Sequence, residues 1–116
     1  FSTPQTSESV AARLAERMRR SARQRAVLAL PSSFQRVCAQ LALLAQRDRG
    51  GRVVIILPPT HQEIAIMVNT SRETVTRTLQ FLQGLKVVAR AGSELVVNQP
   101  DTLQQAADGK VAPKKA

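Results

Sequence analysis

The chain of 116 residues is about one domain in length; at 43% hydrophobic but 3% aromatic, with no Trp or Tyr, any core it forms is aliphatic. Seventeen basic residues against eight acidic ones give a net charge of +9, which favours a polyanionic partner through counterion release, nucleic acid ahead of an anionic membrane surface. No apolar run approaches the ~20 residues that cross a bilayer, Phe1 opens a polar stretch unlike a signal peptide, and the single cysteine excludes an internal disulfide framework and fits a reducing cytoplasm. A chain that starts at Phe1 rather than Met reads as a piece of a longer protein.

Phe1 to Thr6 carries no periodicity and is expected to be loose. From Ser7 to about Ala29 the pattern is helical, with Ser7 as a cap, Glu8 in the first turn, and Val10, Leu14 and Met18 on one stripe. Arg13, Arg17, Arg19, Arg20, Arg23 and Arg25 crowd the remaining faces. Such a helix can pack on its own domain with solvated arginines, or lie on a membrane surface. Leu30-Pro31 breaks it, because the residue before proline is pushed out of the α region. Ser32-Ser33-Phe34-Gln35 has capping-box spacing and starts a helix to about Arg47, with Phe34, Val37, Cys38, Leu41, Leu44 and Ala45 inward. Gly50-Gly51 begins a turn. Arg52 to Leu57 reads as a short strand that Pro58-Pro59 stops.

Thr60 to Leu82 reads as two short helices joined by a tight turn. Thr60-His61-Gln62-Glu63 is a second capping box. Ile64, Ala65 and Val68 share one face, and Ala65 is small enough for another helix to cross closely. Asn69 sits at the turn, where an open or left-handed backbone is needed. Ser71 caps the second helix, at about 71–83, and Val75, Leu79 and Leu82 make its buried stripe. Arg72, Glu73, Thr76 and Arg77 fall on or near its outward N-terminal face. Arginine can donate twice to guanine O6 and N7, and glutamate can accept from cytosine N4. A helix-turn-helix brings these positions against base edges. Glu73 either reads a base or orients Arg72 or Arg77 through an ion pair. Thr60, Gln62, Ser71 and Thr74, at helix N-termini, either contact phosphate or cap, and one residue can do both.

Gly84 is expected to end this helix. Val87 to Arg90, then Ala91-Gly92-Ser93, then Glu94 to Val97 reads as a β-hairpin, whose Arg90, with Lys86 and Ser93 beside it, is placed for phosphate. Pro100-Asp101 opens at most a short helix through Leu103. Ala106 to Ala116 is expected to be disordered. Cys38, on an inward stripe, reads as a small buried hydrophobe rather than a sensor. His61 has no second ligand at metal spacing, and no catalytic constellation appears, so an enzyme is not expected.

The run Thr60-His61-Gln62-Glu63-Ile64-Ala65, followed by Ser71-Arg72-Glu73-Thr74-Val75 and Arg77, resembles the C-terminal DNA-binding domain of the cyclic AMP receptor protein / FNR family. The resemblance extends from about Phe34 to Leu103. Asn69 replaces the glycine usual at the turn, and Thr78 replaces a more usual apolar residue, leaving the second helix less securely packed. The resemblance implies a mostly α, α+β fold: a winged helix-turn-helix over 31–100, preceded over 1–30 by a loose N-terminus and the end of a dimerisation helix, and followed over 101–116 by a short helix and basic tail. It implies a cytoplasmic homodimer on double-stranded DNA, an inverted repeat with half-sites like T-G-T-G-A, a ligand-sensing barrel before Phe1, and contact with RNA polymerase. No cofactor is expected in this chain itself. With so thin a stripe on the first helix, the dimer is expected to be weak without DNA. Two other readings stay open: a protein-interaction winged helix, and a nonspecific nucleic-acid-binding protein.

Overall fold

The computed structural model describes residues 4–113. Five helices and four short strands follow one another as α1 (Pro4–Leu28), α2 (Ser33–Leu44), β1 (Gln46–Arg47), β2 (Val53–Ile56), α3 (His61–Val68), α4 (Arg72–Gly84), β3 (Val88–Ala91), β4 (Glu94–Val97) and α5 (Pro100–Ala107). This is the α+β class and the winged arrangement expected.

The described part of α1 runs from Pro4, so Ser7 lies within the helix rather than at its start. Only the last turns of α1 meet the rest of the molecule. Val27 is buried, and Gln24 Nε2 donates to Gln40 Oε1 at 2.8 Å. Further out, Val10, Leu14 and Met18 are 43%, 52% and 71% exposed. At ~1.5 Å per residue, α1 is about 37 Å long, and its projecting turns extend the long axis to 64 Å in a body otherwise 33 × 25 Å.

Ser32 caps α2 by accepting from Gln35 N–H. The reciprocal bond of the expected capping box, from Ser32 N–H to the Gln35 side-chain oxygen, is absent, and Gln35 Nε2 donates to Ala107 O at 3.2 Å. Helix α2 stops at Leu44, short of Arg47. Gln46 and Arg47 instead pair with Val54 and Val53, a strand the sequence reading missed. The cause is Asp48, whose Oδ1 accepts from the N–H groups of Gly50 and Arg52 and folds the chain back at once. Burial alone would raise the Asp48 carboxyl, but these bonds and the Arg52 guanidinium hold it below its ordinary value.

The sheet order is β1-β2-β4-β3, all antiparallel. β2 therefore closes against the hairpin, Val53 opposite Val97 and Ile56 opposite Glu94. Gly92, at φ 62, is the first residue of the two-residue hairpin turn and Ser93 keeps a negative φ, the pattern of a type II′ turn. Val37, Cys38, Leu41, Ile64, Val68, Val75, Leu82, Val88 and Leu103 share one aliphatic core, with Phe34 and Phe81 edge-on at 5.6 Å at its margin. Burial pushes the Cys38 thiol up to about 12, consistent with a buried hydrophobe.

The C-terminal segment differs most from expectation. α5 runs through Ala107, and Leu103, Ala106 and Ala107 are buried, with α2 as the helix it packs on. Alanine side chains let the two helices approach closely, which is what they have to bury. Gly109, at φ 84, ends the helix: its N–H reaches Ala106 O, and Lys110 N–H reaches Gln105 O, a Schellman closure. Val111 still packs on the core. Residues 114–116, part of the expected disordered tail, lie outside the described residues, as do 1–3 of the expected loose start.

Candidate nucleic-acid interface

The two helices of the motif are held by their own termini. Thr60 Oγ1 accepts from Glu63 N–H at 3.0 Å while Glu63 Oε1 accepts from Thr60 N–H at 2.8 Å, the complete capping box. Asn69 takes the left-handed conformation at φ 58, ψ 58, and Thr70 N–H closes onto Ala65 O. Ser71 then caps α4 through Thr74 N–H at 3.1 Å.

Arg36 of α2 secures the turn from behind. Its guanidinium donates to Val68 O at 2.8 Å, Leu30 O at 3.0 Å, Ser33 Oγ at 3.0 Å and Asn69 O at 3.4 Å. A cation at the C-terminus of α3 also opposes the negative end of the helix dipole. Sequence alone made Arg36 one more basic residue.

Val75, Thr78, Leu79 and Leu82 form the buried side of α4. Thr78 is only 4% exposed. No buried side-chain N or O atom among the described residues lacks a partner. The threonine thus lies on the buried side of the helix, where the sequence reading expected a more usual apolar residue. Opposite that side, Arg72, Glu73, Arg77 and Gln80 are exposed. Arg77 Nη2 lies 3.3 Å from Thr74 Oγ1, which also receives Ser71 Oγ at 2.9 Å. Glu73 makes no ion pair among the described residues, so nothing there ties it to Arg72 or Arg77. Thr76 is half-buried, its Oγ1 2.8 Å from His61 Nδ1.

The residues named for phosphate divide into two kinds. The hydroxyls of Thr60, Ser71 and Thr74 are engaged in the caps, whereas Gln62 on α3 and Arg90 on β3 are exposed and make no side-chain hydrogen bond among the described residues. Lys86 and Ser93 are exposed as well. One exposed residue of α4 went unnoticed. Gln80 follows Glu73 by seven positions, so the spacing 73-76-77-80 could have disclosed it. His61 was weighed only as a metal ligand, and among the described residues no cluster could hold a metal.

A capped helix pair crossed at a left-handed turn, with a β-hairpin following the second helix, defines the winged helix-turn-helix of DNA-binding transcription regulators. Residues 35–106 match the Crp-like helix-turn-helix domain, and the chain belongs to that family.

Among solved structures, the chain is similar to a CRP-family transcriptional regulator from Thermus thermophilus, at TM-score 0.69 and 26% identity, covering 92% of this chain and 56% of that one. It is similar also to the catabolite activator protein of Thermus thermophilus, at TM-score 0.51 and 27% identity, covering 93% and 49%. A CRP/FNR-family regulator from the same organism shares the fold at TM-score 0.64 and 23% identity, covering 96% and 58%. The chain thus spans about half the length of these regulators. A comparison with curated protein sequences found no match. No helix is long and apolar enough to cross a membrane among the described residues.

Proposed function

We propose that this domain binds an inverted-repeat operator as a dimer and reads it through α4. The observation that carries the reading is the outward face of α4, where Arg72, Glu73 and Arg77 stand exposed directly after the Ser71 cap. Arg72 and Arg77 donate to guanine, and Glu73 accepts from cytosine. Gln62, Arg90 and the capped N-termini of α3 and α4 hold register on phosphates. Thr76 takes part at the margin of the reading face.

Two protomers related by a two-fold axis put their α4 helices in successive major grooves, about 34 Å apart. The uncovered stripe of Val10, Leu14 and Met18 on α1 supports pairing through that helix. The domain works in the cytoplasm within a longer regulator, where a sensing domain supplies the signal and RNA polymerase is a further partner. This chain itself carries no cofactor and no catalysis.

The test is selection of random duplex DNA by the purified chain near physiological salt, beside Arg72→Ala and Arg77→Ala. The expected result is an inverted repeat whose G·C positions relax in the variants, each losing about 1–3 kcal/mol. No enriched motif, with equal binding by all three proteins, would return the basic surface to nonspecific binding, and no DNA binding at all would favour a protein partner.

A further inference from the structure

We propose that the tail after α5 adds a DNA contact, carrying Lys114 and Lys115 to the phosphates beside the reading helix. The inference rests on the reading of α4 as the helix that enters the groove. Beyond the closure at Gly109 the chain stays on the body. Gln35, in the first turn of α2, is bonded to the end of α5 at Ala107 O, 3.2 Å away. Val111 packs on the core. Pro113 then closes a recess formed by Phe34 of α2 with Thr74, Arg77, Thr78 and Phe81 of α4. The path therefore runs from the start of α2 to the flank of α4, and Lys114 and Lys115 follow at once in the sequence.

That flank matters because of what a seated helix has beside it. Thr74, Arg77 and Phe81 stand at i, i+3 and i+7, along one edge of α4. Thr76, with its bond to His61, marks the opposite edge. Arg77 thus borders both the recess and the outward face. A helix with its side chains is about 10–12 Å across and the major groove about 12 Å wide, so a phosphate wall runs along each edge. The tail leaves Pro113 on the side of one wall. Two extended residues reach about 7 Å further, and each lysine adds a flexible four-carbon stem.

The charge of the tail fits a polyanion. Three of the chain's four lysines lie here, Lys110, Lys114 and Lys115, while nearly every other cation is an arginine. No acidic residue follows Asp108. Asp108 itself accepts from Gln104 Nε2 at 3.1 Å, and among the described residues neither Lys110 nor Arg77 makes an ion pair. In the free protein the lysines and Arg77 repel one another, and phosphate relieves that repulsion. Lysine is a mobile point charge without the planar fork that reads guanine, so the tail supplies affinity and no sequence preference.

The experiment compares the full chain with Lys114→Gln/Lys115→Gln on the inverted repeat that wild type selects. Affinity is followed by fluorescence anisotropy between about 50 and about 200 mM salt, and unfolding curves confirm that the variant folds. The double variant is expected to select the same motif. Its slope of log affinity against log salt should be shallower by about two per half-site. The advantage of wild type should shrink about tenfold per half-site across that range. A slope equal to that of wild type would overturn the proposal and leave these lysines to an acidic protein surface.

A second measurement locates the tail. Cys38 is buried, so in Ala116→Cys the new thiol alone takes an iron–EDTA label. Strand cuts should cluster on the backbone bordering each half-site. Cuts spread evenly along the duplex would overturn the proposal even if the slope falls. Wild type that selects no motif would instead overturn the reading of α4 itself.

Discussion

The outer turns of α1 and the helix pair α3–α4 both display arginines, yet they are built in opposite ways. Around α3 and α4 the helix ends are tied by side chains and turn closures: the Thr60 and Ser71 hydroxyls, the Glu63 carboxylate, the Arg36 guanidinium and the closure at Asn69. What remains exposed on α4 is polar, chiefly Arg72, Glu73, Arg77 and Gln80, while α3 leaves Ile66 exposed at 71%. On α1 the polar groups pair with one another instead, as Glu16 does with Arg19 and Arg23. Hydrogen bonds from Arg23 and then Arg19 hold the Glu16 carboxyl below its ordinary value. What remains exposed on that helix includes Val10, Leu14 and Met18. One region has a finished frame that displays chemistry, and the other displays apolar surface with nothing of its own to cover it. Exposed charge on a fully capped frame points to a ligand, while exposed apolar stripes on a projecting helix point to another helix.

The contrast can be broken first at Arg36. Arg36→Met strips four donors from the back of the turn, and unfolding in urea should show a loss of about 2–4 kcal/mol. Leu103→Ala tests whether α5 belongs to the frame. Burial under α2 makes the expected loss about 2–4 kcal/mol, with the lower half of that range fitting partial collapse of the site; no loss would mean that the C-terminal helix is not part of the core. Asn69→Ala leaves the left-handed turn without its tolerant residue and should cost about 1 kcal/mol.

The remaining two changes sharpen the comparison from its small end. Lys86 holds φ 61 where α4 closes, with Val87 N–H on Leu82 O. Lys86→Gly is expected to raise the urea midpoint slightly, by about 0.5 kcal/mol. Met18→Glu on the bare stripe should leave thermal unfolding of the isolated chain within about 0.5 kcal/mol. The same variant should shift sedimentation on operator DNA from two protomers toward one. A tight wild-type dimer at micromolar concentration without DNA would contradict the thinness of that stripe.

Most of the motif was legible because its rules are local. Thr60 with Glu63, Ser71 before the apolar stripe and Asn69 at the turn each act within four residues of themselves. The same holds for Ser32, whose cap was readable although the Gln35 half of the box was not. The Gln35 side chain is engaged elsewhere, its Nε2 donating to Ala107 O seventy-two residues on. Distance along the chain also hid the pairing of β2 with β4, the Arg36 contacts at the turn, and the hydrogen bond from His61 to Thr76. The error at α5 had a different cause. A segment of alanines carries little hydrophobic signal, and its value lies in letting a neighbouring helix come close, which only the partner reveals. Even so, Asp108-Gly109 after two alanines was a readable helix stop. β1 was lost because two residues are too few for any periodicity, and Asp48 alone dictated the fold-back.

Arg36 has a mechanical consequence. Its guanidinium spans Leu30, where α1 gives way to the next helix, and Val68 and Asn69, where α3 gives way to the turn. The planar fork is rigid and always charged, so it acts as a bolt through two pivots. A displacement of α1 at Leu30 therefore meets the same guanidinium that holds the turn leading into α4. The projecting arm is long, so a small tilt at the joint becomes a large sweep at its tip.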